Sequence, residues 1–417
     1  MESLHRNESW RMGGGRLALL LAGALVLALA VPASAQEEAE ATEEKKPTMD
    51  IYGFIMLDMG YQGGQNDPDW FDVLRPTKLP SFENEFGEDG DFFAGVRQSR
   101  LGVKATMPTA LGDVKTTFEF ELFGTGADAG QTTFRLRHAY AELGQFGAGQ
   151  TWSPFMDIDV FPNSVEYWGP NGMVFFRNVQ LRWMPIQGDS RLTFALERPG
   201  ASADGGDYAD RIEVQNLTAR FPYPDVSGEY RHAGDWGYLE FAGILRYIKW
   251  DDTLPDQFDL TGSELGWGVN VSSNIKFGDH VARLQAVYGE GVQNYMNDAP
   301  ADVGAVLNPG NPTAPLDGEV LPLFGLVAFV DLNWSPTMTS TVGWSFLEID
   351  NSNGQAANAF SKGDYALANV LWKPVPNVMF GPEIQYGRRK NFRDGFESDD
   401  LRFQFSAKYN FDHHFGG

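Results

Sequence analysis

From Leu401 to Phe411 the chain alternates without exception, with Leu401, Phe403, Phe405, Ala407, Tyr409 and Phe411 at odd positions and Arg402, Gln404, Ser406, Lys408 and Asn410 at even ones. Only an extended strand, whose successive side chains point to opposite faces, sorts such a sequence into one apolar and one polar surface. The same sorting recurs upstream. Within 264–277, Leu265, Trp267, Val269, Val271, Ile275 and Phe277 oppose Glu264, Asn270, Ser272, Asn274 and Lys276, with Ser273 the one misfit. Within 98–107, Leu101, Val103, Ala105 and Met107 oppose Gln98, Arg100, Lys104 and Thr106. Charge keeps to one face in all three.

Alternation fits both a soluble sandwich, with its apolar faces packed together, and a membrane barrel, with its apolar face outward. The spacing of turns separates the two. Seven short turns (108–113, 144–147, 185–190, 234–237, 277–280, 335–338 and 373–377) alternate with eight longer loops (62–96, 124–131, 153–172, 199–225, 251–263, 292–321, 349–363 and 391–400). This predicts an all-β fold, a transmembrane antiparallel β-barrel of about sixteen strands with short periplasmic turns and long extracellular loops. The strand-like piece at 211–221 is assigned to the fourth loop, because a further strand would make the count odd. After residue 31 no apolar run reaches the roughly 20 residues that a membrane helix needs, so any crossing must be made by strands. An aromatic content of 13% suits this reading. Tyr61, Trp152, Trp250, Trp334 and Trp372, near strand ends, are expected in aromatic girdles at the bilayer interfaces.

Arg6, Arg11 and Arg16 precede an apolar run over 17–31, which ends in Ala33-Ser34-Ala35. That is the pattern of a secretory signal peptide, expected to be cleaved after Ala35; Met12 offers a second start that leaves it intact. The expected organisation is a signal peptide over 1–35, an acidic flexible periplasmic lead over 36–49, a barrel over 50–411 and a short tail over 412–417. The chain has no cysteine, so disulfides contribute nothing to its stability. Cleavage removes three basic and two acidic residues and takes the net charge from −24 to −25. So acidic a chain is a poor partner for nucleic acid or for anionic lipid surfaces.

A barrel of sixteen strands leaves an aqueous channel unless something folds into it. The third loop, 153–172, carries Phe155, Met156, Ile158, Val160, Phe161, Tyr167 and Trp168, too many apolar groups for a freely solvated loop. Folded inward it would narrow the pore and place Asp157, Asp159 and Glu166 at the constriction; packing at a subunit interface is the alternative. Strand parity turns Arg100, Lys104, Arg135, Arg137, Arg182, Arg402 and Lys408 toward the lumen, where they would attract carboxylates or phosphates. Glu119, Glu121, Asp331 and Glu383 offset some of that charge, and a wet inner face carries charge pairs in any barrel.

Catalysis has little support. Five histidines remain after processing, none with a legible nucleophile partner, and the adjacent His413 and His414 lie in the expected tail. No metal or cofactor is expected. The reading is a passive outer-membrane channel for small anionic or polar solutes, with lipid as its surroundings. A structural or adhesive barrel with a closed lumen is the rival, and a barrel esterase or phospholipase comes third.

Several blocks also resemble the DcaP-like family of trimeric outer-membrane porins: YGFIMLDMGY (52–61), RQSRLGVKATMPTALGDVKTTFEFELFG (97–124), LRHAYAELGQFGAGQTWSPFMD (136–157) and GDWGYLEFAGILR (234–246). They occur in order along nearly the whole processed chain. The resemblance implies a homotrimeric sixteen-stranded porin with a basic constriction, associated in that family with uptake of dicarboxylic acids and other small anions. The chain departs from the pattern at both ends. Its lead is too short for the helical extension some members carry. Phe411, where an aromatic terminus is usual, is followed by DHHFGG, so either a tail is tolerated or Phe415 marks a shifted last strand.

Overall fold

The computed structural model describes residues 46–416; the expected signal peptide and most of the acidic lead lie outside the described residues. Sixteen long strands succeed one another: β1 Thr48–Gln62, β2 Arg100–Thr109, β3 Gly112–Phe123, β4 Thr132–Leu143, β5 Phe146–Trp152, β6 Arg177–Ile186, β7 Arg191–Glu197 and β8 Asp225–Gly234. There follow β9 Gly237–Asp252, β10 Gly262–Phe277, β11 His280–Glu290, β12 Pro322–Ser335, β13 Met338–Ile349, β14 Phe360–Trp372, β15 Val378–Asn391 and β16 Glu397–Phe415. Each pairs antiparallel with the next. β1 pairs antiparallel with β16 from Met49↔Phe415 to Gln62↔Arg402, which closes the barrel. Closure satisfies the backbone groups of both terminal strands, the condition for a sheet in hydrocarbon.

The faces sort as the alternation requires. On β16, Leu401, Phe403, Phe405 and Tyr409 are exposed, whereas Arg402, Gln404 and Ser406 are buried. Polar groups inside and apolar groups outside exclude the sandwich and give an outer surface suited to lipid. Ser273 is accommodated on the outer face of β10 because its hydroxyl donates to the Tyr238 carbonyl at 2.5 Å. Tyr61, Trp334 and Trp372 are exposed at strand ends, as a girdle needs. Trp152 and Trp250 are not. Trp152 packs among lumen residues, and Trp250 turns its indole N–H to the Leu260 carbonyl at 2.7 Å.

The barrel starts at Thr48 and ends at Phe415, so its bounds exceed the expected 50–411. Residues 412–415 form no tail: Asp412, His413, His414 and Phe415 pair with Tyr52, Ile51, Asp50 and Met49. The shifted final strand is the arrangement adopted.

Among the described residues five short strands extend the loops. Asp91–Gly95 runs along the outer half of β1 before the chain jogs into β2, and Ser99 Oγ fills the gap by accepting from the Met56 amide at 3.0 Å. Leu217–Arg220, inside the piece assigned to the fourth loop, pairs with the end of β9 without entering the closed ring. The hairpin Val303–Leu307/Leu316–Val320 in the sixth loop takes Ala203–Asp204 of the fourth as a parallel neighbour.

The main buried apolar cluster lies within the barrel. The inner faces of β9 to β14 supply Ala242, Ile244, Val287, Leu323, Val327, Phe329, Leu347 and Leu367; the third loop supplies Phe155, Met156, Val160, Met173 and Val174; Leu74 and Leu79 come from the first loop. One side of the lumen is thus a packed core.

Candidate solute pathway

The third loop leaves β5 at Trp152 and rejoins the wall at Arg177, fastened at two places on the way. At the first, Asp157, fully buried, accepts from Arg231 Nη2, Tyr238 Oη and Ser272 Oγ, each at 2.6 Å. At the second, Glu383 accepts from Ser164 Oγ at 2.9 Å and the Val165 amide at 3.1 Å, and the Asn163 amide donates to Asp331 at 3.3 Å. Glu166, also buried, accepts from the amides of Leu74 and Gly169 and from Tyr365 Oη. Burial pushes its carboxyl up to about 7. The loop therefore crosses the lumen from β5 to the β12–β15 wall and back.

The first loop shares this work. Arg75 lies 4.1 Å from both the Trp70 and Trp168 ring centroids and donates to Asp298 of the sixth loop at 2.9 Å. Arg97 binds Asp72 and sits 3.9 Å over Phe123. A buried guanidinium held between aromatic faces and a carboxylate joins loops that have no shared backbone ladder.

Opposite the β12–β15 wall, on β2 to β4, lies a dense group of lumen charges. Arg137 Nε donates to Glu119 at 2.7 Å and its Nη1 to Glu121 at 2.6 Å. Arg100 stands 3.6 Å from Glu119 and 3.4 Å from Glu121. Arg135 and Arg177 approach Glu121 to 3.7 and 3.6 Å. Four guanidinium groups thus share two carboxylates, which leaves a local excess of positive charge. Tyr167, stacked on Phe123 at 3.9 Å, donates its hydroxyl to Glu121 and ties the third loop to this wall.

A β-bulge fixes the arrangement. The β3–β4 register slips between Glu119↔His138 and Phe120↔Leu136, so Arg137 is the extra residue. Arg135 and Arg137 face the lumen on one side of the bulge, and His138 faces it on the other, hydrogen-bonded to Thr151 at 3.0 Å. Gln150 caps the distortion by donating to the carbonyls of Leu136 and Arg137.

The remaining expected residues lie apart from this cluster. Arg182 donates to Gln180 at 3.0 Å and to the Trp152 carbonyl. Lys104 and Lys408 rest over Tyr52 and Phe54, at 5.1 and 4.0 Å. Arg402 is wholly buried, 3.9 Å from the Phe93 ring centroid and 3.4 Å from Gln404. Of the three loop acids, Asp159 alone is well exposed, while its carboxylate meets Arg231 at 2.5 Å. Asp157 and Glu166 are anchors of the loop by their burial.

Sequence reading missed Arg75, Arg97, Arg177 and Arg231, and also Arg246, which donates to Asp225 at 3.1 Å and to Asp302 of the sixth loop at 2.7 Å. Arg231 carried a signal, since Asp225, Ser227, Glu229 and Arg231 alternate with Val226, Gly228 and Tyr230. Arg246 did not, because its neighbours on the inner face of β9 are the apolar Ala242, Ile244 and Ile248. No cluster of potential metal ligands occurs among the described residues.

A structure of the outer membrane channel DcaP of Acinetobacter baumannii superposes with a TM-score of 0.71 at 20% identity, over 90% of this chain and 100% of that one. The anion-selective porin from Comamonas acidovorans gives 0.56 at 10% identity, over 88% and 100%. OmpT of Vibrio cholerae gives 0.53 at 13% identity, over 89% and 100%. At these identities the likeness is one of fold, that of porins. A search of curated proteins gives no match. The model of the DcaP outer membrane protein family matches residues 49–295, more than half of the chain, and this β-barrel of the outer membrane belongs to that family.

Proposed function

We propose that this outer-membrane channel is a passive porin that favours small anions, dicarboxylates among them, and works as a homotrimer. The observation that carries the selectivity is the group of four arginines around Glu119 and Glu121. Its excess charge faces a lumen narrowed by the third loop, where low-dielectric walls strengthen the attraction for a carboxylate. Arg100 and Arg135 are the members with the most solvent contact, at 24% and 29% side-chain exposure, and are therefore the groups able to meet a solute. Arg137 and Arg177 are buried and hold the two carboxylates in place. Passage needs no chemical step, and the family and fold are those of a channel rather than an enzyme.

The test is planar-bilayer recording across a salt gradient. The parent protein is expected to give an anion-leaning reversal potential, steps grouped in threes and blockade by a small dicarboxylate. Arg100→Gln with Arg135→Gln should move the potential toward zero while the barrel still inserts. A cation-leaning parent would overturn the selectivity.

The packed core inside the barrel favours one second reading, a closed structural barrel. Silence of the inserted parent protein would establish it.

A further inference from the structure

Two cavities lie on opposite sides of the third loop. One, of about 570 Å³, opens among the extracellular loops and is lined by Arg75, Arg135, Tyr167, Phe175, Gln293 and Asn297 among others. The other, of about 350 Å³, opens toward the short turns and is lined by Lys115, Trp152, Met156, Arg182, Gly188 and Arg191 among others. They meet at an aromatic pair. Trp152, on the wall of the lower cavity, and Phe175, on the wall of the upper one, pack edge to face with centroids 5.1 Å apart. Both rings are half-buried.

Basic groups follow the same line. Arg135 faces the upper cavity. Arg177 and Arg137 lie 4.9 and 5.4 Å from the Trp152 ring centroid, level with the pair. Arg182, whose Nη2 donates to the Trp152 carbonyl, faces the lower cavity, which Lys115 and Arg191 also line together with Glu142 and Glu229, the last 3.2 Å from Arg191; three basic groups against two carboxylates leave it net positive. An anion leaving one guanidinium group thus has the next ahead of it, in the manner of multi-site conduction. Beyond the pair, the core of the third loop and β9 to β14 fills the lumen, and both rings pack against its margin.

We propose that anions cross the plane of the third loop between Trp152 and Phe175, passing from Arg135 to Arg182, and that this aromatic pair is the gate that sets the size of solute admitted. The proposal rests on the porin reading and adds the route and the residues that limit it. Ring edges in contact leave no aqueous gap, so passage requires rotation of one ring. Phe175, outside the strands and packed on Phe161 at 5.8 Å, is the ring that turns, since Trp152 is flanked by the Arg137 and Arg177 guanidinium groups and by His138.

The test combines conductance with chemical modification. Phe175→Ala and Trp152→Ala are each expected to raise single-channel conductance about two-fold or more, with the sign of the reversal potential retained. The chain has no cysteine, so Phe175→Cys introduces a unique thiol. Reaction with a bulky anionic methanethiosulfonate should then cut the conductance, and prior dicarboxylate should slow the reaction. The thiol variant keeps the test valid if an alanine variant fails to insert. Unchanged conductance in the alanine variants, or modification without effect, over a conducting parent overturns the route alone. An inserted parent that stays silent overturns the porin reading and the route with it.

Discussion

Glu166 shows how burial turns a residue chosen for its charge into an anchor. Its carboxyl lies against the Leu74 and Gly169 amides and Tyr365, and burial lifts it from an ordinary value of 4.5 to about 7. Between those two values the docked loop holds a proton that an undocked loop would have released. Docking therefore weakens as pH rises through that window and is weakest above about 7. Closures and current noise should increase from acid to neutral and alkaline pH in the parent and stay level in Glu166→Gln, as bilayer recordings at a series of pH values would show. A pH-dependence that survives the substitution would assign it to another group. Charge and position marked Glu166 and Asp157 in the sequence, but their burial depended on partners far away along the chain. Arg231 is 74 residues from Asp157, and Tyr365 is 199 from Glu166. Alternation reports which face a side chain takes; it is silent on what crosses the lumen to meet it.

The strands were legible wherever the inner wall is wet. β16 and β2 alternate cleanly because water, or polar groups of the plug, meets one face and lipid the other. On β9 the outer face carries Phe241 and Leu245 while the inner face mixes Ala242, Ile244 and Ile248 with Glu240 and Arg246, so the period fades although the strand is long. The bulge in β4 was equally hidden, since one extra residue shifts parity without changing composition. Gly149 makes that region testable: its φ is +121° and a Cβ there would lie 2.1 Å from the Ala139 carbonyl oxygen. Gly149→Ala should disturb the β4–β5 pairing beside Arg137 and His138, lowering the temperature at which the barrel loses its compact electrophoretic form. The end of β16 gives a second test. A chain truncated after Phe411 loses four residue pairs of the closing seam, and with them the His414–Asp50 contact at 2.6 Å. Slower insertion and earlier thermal unfolding are expected, at about 1 kcal/mol for each backbone hydrogen bond lost. Equal stability would show residues 412–415 to be dispensable.

At the scale of the whole molecule, the wall has three surroundings: an exposed apolar outer face suited to lipid, a basic strip along the inner side of β2 to β7, and a packed core against β9 to β14. This asymmetry decides which substitutions matter. A charge on the lipid face at mid-membrane costs roughly 2–4 kcal/mol, a charge in the strip retunes selectivity, and a charge in the core leaves a buried group without a partner. The absence of native cysteine lets all three be mapped with single introduced thiols. Cysteine at Phe403, exposed on the outer face, should react only with a membrane-permeant maleimide. Cysteine at Arg135, in the strip, should react with a charged, water-soluble reagent from the extracellular side. Cysteine at Val327 or Leu367, buried under the plug, should resist both until the barrel is unfolded. Ready aqueous labelling at Val327 would mean that the loops do not pack against that wall in the membrane. The lumen would then be a wide pore with mobile loops, and the basic strip would lose the confinement on which the proposed anion preference rests.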